Sequence, residues 1–219
     1  MSELKITTRL ICKKEISSSL YVLSLDRQNI DFEPGQHITL SIPGDGKSRL
    51  YSIASGNNDE HLELLIREIP TGDLSIRFKQ LTINSPLQIT KPVGYFCLPD
   101  DYQNKKIICI ATGSGIAPFR SFSKSHLDLN LTIIHGISDL SDSLDQDLPT
   151  TVNYIICTSK TKEGDYFGRV TNYIKEQIID LDAYYFLCGN GEMIHEIYTH
   201  LKKQNVSRKN IFYEEYFNN

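Results

Sequence analysis

The feature that most constrains this chain is a change of rhythm near its middle. In the first hundred residues the apolar positions come as short runs rich in β-branched and aromatic side chains. These are "LYVLSLD" (20–26), "HITLSIP" (37–43), "RLYSIAS" (49–55), "HLELLIREI" (61–69) and "LQITKPVGYF" (87–96), with turns supplied by "EPGQ" and "PGDGK". Strands at this spacing predict an antiparallel barrel or sandwich. One segment interrupts them: "GDLSIRFKQL" (72–81) reads as a helix. The second half behaves differently. "KKIICIA" (105–111), "LTIIHG" (131–136), "YIICTS" (154–159) and "YYFLCG" (184–189) are short apolar runs running into glycine, serine or threonine. Helix-like segments such as "RVTNYIKEQIIDL" and "EMIHEIYTHLKKQ" lie between or after them. Buried strands alternating with helices predict βαβ units and a parallel sheet. The polar link "LPDDYQNK" (98–105) divides the two, so the expected organisation is a β domain at 1–100 and an α/β domain at 101–219.

Composition narrows the classes of function. A net charge of −4 over 219 residues disfavours polyanionic partners, and nucleic acid with them. The opening "MSELKITTRLICKK" has no signal-peptide core, and no apolar run reaches the roughly 18 residues of a membrane span. Cys12, Cys97, Cys109, Cys157 and Cys188 are odd in number and dispersed, which argues against a disulfide framework and for a reducing cytoplasm. Without a C-x-x-C pair, neither a zinc ribbon nor an iron–sulfur ligand cluster is expected.

The stretch "CIATGSGIAPFRSF" (109–122) follows the first strand of the second half, where a parallel sheet presents ligands beyond its carboxyl edge. Gly113 and Gly115 allow a tight turn, and Pro118 fits a first helical turn, where its missing N–H costs nothing. The free N–H groups of that helix start would attract a pyrophosphate. A plain strand-to-helix turn would look similar. A P-loop would need a lysine after its last glycine. A nucleophile elbow would need G-x-S-x-G, whereas Ser114 stands directly between two glycines. In "HEIYTH" the histidines His195 and His200 are five apart, wrong for zinc on one helical face. In "RLYS" (49–52), Arg49 and Tyr51 point to one face of a strand, where they could bind a phosphate and stack on a flat ring. "GDLS" (72–75) on its own is an ordinary helix start, with Asp73 or Ser75 as the cap.

Taken in order, "RLYS", "GDLS", "TGSGIAPF" (112–119), "CGNGEMI" (188–194) and the terminal "EEYF" (214–217) resemble the ferredoxin–NADP reductase family over essentially the whole chain. The resemblance implies an N-terminal antiparallel Greek-key β-barrel that binds flavin and a C-terminal Rossmann-like parallel α/β domain for the nicotinamide nucleotide. It implies that Tyr51 stacks on the isoalloxazine, Arg49 lies near the flavin phosphate and Ser52 near flavin N5. Gly72, Leu74 and Ser75 would serve the flavin pyrophosphate. Thr112, Gly113, Gly115 and Pro118, with Met193, would shape the dinucleotide site, and Cys188 and Gly189 would border the nicotinamide. Glu214 and Tyr216 match the family's terminal acidic and aromatic residues, with Tyr216 covering the flavin face that the nicotinamide must use. Ser52, Cys188, Glu214 and Tyr216 would thus form the catalytic set, without any metal.

The implied cofactor is FAD, with FMN or free flavin as alternatives because "PGDGKS" (43–48) is short. NADPH or NADH would be the co-substrate. Ser138, Lys160 and Arg169 are candidates for a 2′-phosphate, whereas Asp139 and Asp142 would favour a ribose 2′-hydroxyl; the balance leans slightly to NADPH. The implied function is hydride transfer from NAD(P)H to flavin, with electrons passed to ferredoxin or flavodoxin; the sequence does not fix the oligomeric state, and a monomer is favoured. The alternatives are an NAD(P)H:flavin reductase, the reductase component of an oxygenase, and a non-catalytic flavin-binding subunit.

Overall fold

The computed structural model describes residues 5–216, so Phe217 of the terminal motif lies outside the described residues. The first half forms six antiparallel strands: β1 (Ile6–Glu15), β2 (Leu20–Asp26), β3 (His37–Ser41), β4 (Ser48–Ser52), β5 (His61–Arg67) and β6 (Pro86–Ile89). Their order is β4-β3-β6-β1-β2-β5. The sheet curls until its two ends touch through the isolated bridge Ile53↔Leu64, beside which Ala54 N donates to Glu63 O at 2.8 Å. This is a barrel fastened at one point and not closed along its length.

The burial of β2 shows why it reads as a nearly continuous apolar run. Tyr21, Leu23 and Leu25 fill the barrel, while Leu20 and Val22 on the opposite face pack into the second domain. In β5, Leu62, Leu64 and Ile66 face the barrel and Leu65 faces the neighbour. β1 escapes sequence prediction because only Thr8 and Leu10 of its ten residues are buried. The helix α1 (Asp73–Gln80) covers the barrel with Leu74 and Phe78.

The second half is a parallel sheet of β7 (Ile107–Thr112), β8 (Leu131–Ile137), β9 (Asn153–Thr158), β10 (Tyr166–Phe167), β11 (Tyr184–Gly189) and β12 (Ile211–Glu215). The order is β10-β9-β8-β7-β11-β12. The helices are α2 (Ala117–Ser125), α3 (Val170–Lys175) and α4 (Gly191–Lys203). α3 is shorter than its sequence predicts. Val170, Thr171 and Ile174 are buried; beyond Lys175 Ile179 still packs on the core, but Ile178 is 99% exposed, so the helical apolar face is not continued. After β7 the chain builds β8 and β9 on one side, then returns to β11 and β12 on the other. The switch point therefore lies between β7 and β11, where the loops after both strands meet.

The halves share one core. Leu20, Val22 and Leu65 pack with Phe119, Phe122 and Phe186. Each such fully buried side chain contributes roughly 1.5–3 kcal/mol. Polar ties from α2 fix the register. The guanidinium of Arg120, its side chain only 6% exposed, donates to Ala54 O at 2.8 Å and to Glu63 Oε2 at 2.6 Å. Ser121 Oγ donates to Ser55 O at 2.7 Å.

Candidate active site

The seam brings together residues that the sequence keeps more than 160 positions apart. β12 pairs with β11 so that Glu214 lies opposite Cys188, and Tyr216 N donates to Gly189 O at 2.9 Å. This pairing carries the chain end to the barrel, at the point where β4 finishes. There the buried Ser52 Oγ donates to Glu214 Oε1 at 2.8 Å, and Tyr216 OH donates to Ser52 Oγ at 2.7 Å. His37, opposite Ser52 in the β3–β4 register, places Nδ1 3.9 Å from Glu214 Oε2. Burial raises the Glu214 carboxyl above the usual range, opposed by the Ser52 hydrogen bond and by His37. Burial also pushes the Tyr216 phenol and the Cys188 thiol up. Cys188 is thus a protonated packing group, not a nucleophile. The sequence motifs place Ser52, Cys188, Glu214 and Tyr216 on three separate stretches, and the fold gathers them.

On the barrel side, Tyr51 is half-buried with its ring edge-on to Phe78 at 6.2 Å, and burial lifts its phenol to about 12. Arg49 is exposed, with Nη1 donating only to the adjacent Ser48 O at 3.1 Å. The start of α1 has no side-chain cap at Gly72. Ser75 Oγ instead accepts from Ile69 N at 3.1 Å, and Tyr21 OH donates to Ser75 O. Asp73 pairs with Lys47 at 2.7 Å, an interaction that lowers its pKa. The first-turn amides of α1 are therefore left without side-chain acceptors, an arrangement that suits an anion. Apolar surface nearby in the chain is open as well: Leu50 is 64% and Tyr95 fully exposed.

At the switch point Gly115 and Gly189 serve close packing. A Cβ on Gly115 would stand 2.5 Å from Cys188 O, and one on Gly189 2.4 Å from Thr112 Oγ1. Thr112 Oγ1 also accepts from Asn190 N at 2.9 Å, so the turns after β7 and β11 interlock. Asn190, unnoticed in the sequence, caps α4 by accepting from Met193 N at 3.1 Å. Gly113 takes a left-handed φ of +53°.

A cavity of about 490 Å³ opens beyond these turns. Thr112 and Gly113 line one side, Asn190 and Met193 another, and Ser138 and Arg169 also border it. Gly115 and Pro118 are buried behind the turn and do not line the cavity, and Lys160 is exposed outside it. Arg67 at the end of β5 is a lining residue that the sequence reading missed; its one signal was a cation closing an apolar run. Its Nη2 pairs with Asp142 Oδ2 at 2.8 Å, its Nη1 donates to Ser19 Oγ at 3.1 Å, and its Nε lies 3.4 Å from where a Gly113 Cβ would be. Of the two acidic residues expected near a ribose, Asp142 lines the cavity, and exposed Asp139 does not. Asp142 is buried, neutralised by Arg67 and hydrogen-bonded by Ser17 Oγ at 2.5 Å. Asp139 accepts from Ser141 N at 2.9 Å, capping a short 3-10 turn.

A barrel and a doubly wound parallel sheet are fused along one core, with the candidate site in the seam. Residues 7–97 match the oxidoreductase FAD-binding domain. The chain is 28% identical over 181 residues to a ferredoxin–NADP reductase of Pseudomonas aeruginosa, covering 79% of this chain and 66% of that one. It is 25% identical over 221 residues to a toluate 1,2-dioxygenase electron transfer component of Pseudomonas putida, covering 93% and 65%. Among solved structures, a ferredoxin NADP+ reductase from Neisseria gonorrhoeae with bound FAD and NADP superposes with a TM-score of 0.86 at 20% identity, covering 97% of this chain and 99% of that one. The chain thus carries an oxidoreductase FAD-binding domain over residues 7–97 and is similar over most of its length to ferredoxin–NADP reductases and oxygenase electron transfer components. It spans less than two thirds of the length of the oxygenase electron transfer and reductase components it matches. No described helix is long and apolar enough to cross a membrane.

Proposed function

We propose that this chain is an NAD(P)H-dependent flavin oxidoreductase that binds FAD and passes electrons to a one-electron carrier such as a ferredoxin or flavodoxin. The observation that carries this reading is the Ser52–Glu214–Tyr216 hydrogen-bonded cluster, assembled from both domains between the two candidate cofactor sites. A flavin held by these residues would supply hydride acceptance from a nicotinamide and one-electron release. The protein's part is position and proton control. Tyr51 offers an aromatic face, the uncapped start of α1 and Arg49 offer donors to phosphate, and Tyr216 shields the seam. Ser52 stands between an acid and a phenol, so its hydroxyl can accept one proton and donate another without a change of geometry. Holding reactants in this way supplies at most roughly 7–11 kcal/mol of a barrier.

The cavity at the switch point is the proposed dinucleotide site. Arg67, paired with Asp142, lines it from the barrel side and would meet the phosphates there. Asp142 also lines the cavity but is paired with Arg67, Asp139 caps a turn, and the lining Arg169 and Ser138 favour a 2′-phosphate. NADPH is therefore the expected donor. Steady-state assays should give a higher kcat/KM for NADPH than for NADH, and Arg169→Gln should reduce that ratio about tenfold, the size of one charge-assisted hydrogen bond. A wild-type preference for NADH would overturn the assignment of the 2′ group. The relatives named as ferredoxin–NADP reductase and dioxygenase electron transfer component support a protein carrier as acceptor. Reoxidation by ferredoxin or flavodoxin faster than by free flavin is the expected order.

A further inference from the structure

His135, on β8, is fully buried in a strand whose other residues are almost all aliphatic. A buried imidazole in such a place is costly unless both ring nitrogens are satisfied. They are: Nε2 lies 2.8 Å from Gly113 O and Nδ1 lies 2.8 Å from Tyr154 OH. A carbonyl only accepts, so Nε2 bears the proton and Nδ1 accepts from Tyr154. Tyr154 oxygen in turn accepts from Leu144 N at 3.4 Å, linking the segment after β8 to the same ring. The charged neighbours Arg67, from β5, and Asp142, from the 3-10 turn after β8, act on His135 in opposite directions, and burial dominates.

The bond to Gly113 matters because Gly113 lines the cavity. Gly113 has the left-handed φ that shapes the turn. We propose that His135 is a positioning residue for the dinucleotide: its Nε2–H holds the carbonyl of Gly113, which lines the cavity, and so fixes the turn after β7, and Tyr154 locks the tautomer. The inference rests on the dinucleotide site assigned above.

The test is NADP+ titration of the flavin-loaded full chain, followed by the flavin difference spectrum, for wild type, His135→Gln and His135→Phe. Gln can donate from a nitrogen placed like Nε2, whereas Phe keeps the ring shape and loses the donor. His135→Phe should weaken NADP+ binding about tenfold, the equivalent of one net hydrogen bond, with bound flavin retained and the loss falling on KM more than on kcat. His135→Gln should recover most of the affinity. Equal affinity of His135→Phe and wild type, or equal weakening by Phe and Gln, would overturn the proposal. Should His135→Phe not fold, ¹⁵N NMR of wild type decides: a neutral Nε2–H tautomer supports the proposal and an Nδ1–H tautomer refutes it. Wild type that binds neither NADP+ nor NAD+ would instead remove the dinucleotide site itself.

Discussion

At the scale of single residues, the seam is a small set of groups whose protonation is controlled by burial. Ser52 is the pivot, because it accepts from Tyr216 and donates to Glu214. Ser52→Ala removes both bonds at little change in volume. Stopped-flow reduction of the flavin by NADPH should slow by about a hundredfold, the low end of what a positioned proton-transfer group supplies; an unchanged rate would show that the hydroxyl plays no part. Glu214 makes a second, thermodynamic prediction. Burial raises its carboxyl in the folded chain, so the folded state holds that proton more tightly than the unfolded one. Its contribution to stability is full below the ordinary glutamate range and is lost as pH rises through the raised value. Thermal melts should therefore show Glu214→Gln gaining on wild type as pH rises from mildly acid to neutral. A gain in the reverse direction would place the carboxylate in a stabilising ion pair, with His37 as its partner.

At the scale of elements, the turns after β7 and β11 depend on two glycines for different reasons. At Gly115 the obstacle is backbone: a Cβ would meet Cys188 O at 2.5 Å. At Gly113 the nearest atom is Arg67 Nε at 3.4 Å, an ordinary contact, so only the left-handed φ opposes a side chain, at about 1–2 kcal/mol. Gly115→Ala should accordingly lower Tm and NADP+ affinity more than Gly113→Ala does; the opposite ranking would contradict the interlocked-turn geometry. These elements also show what the sequence reveals. β2, β5, β7, β8, β9 and β11 are legible because burial, on both faces or nearly so, leaves a run of apolar residues. β1 is masked by its exposed charged positions, and β10, two residues long, is too short to leave a pattern. α4 is legible from its periodic Met193, Ile194, Ile197 and Leu201, whereas α3 is overestimated because exposed Ile178 and Leu181 mimic the same spacing.

At the scale of the whole molecule, the two domains share one core at the seam. The Arg120 guanidinium is sunk into the barrel side, and the aromatic cluster of Phe119, Phe122 and Phe186 fills the space between the sheets. The residues that form the seam cluster were readable as motifs in order. Arg67, Asn190 and His135 were not, because each owes its place to a partner brought close only by folding: Asp142, Thr112 and Gly113. A single residue type at a single position leaves no pattern in the chain to find. The central claim is that this fold delivers electrons from a nicotinamide nucleotide to a bound flavin across the seam. Anaerobic addition of NADPH to the purified flavin-loaded protein, watched at the flavin absorbance band, tests it most directly. The account predicts prompt bleaching, slowed in Ser52→Ala. A bound flavin that neither NADPH nor NADH bleaches would contradict it.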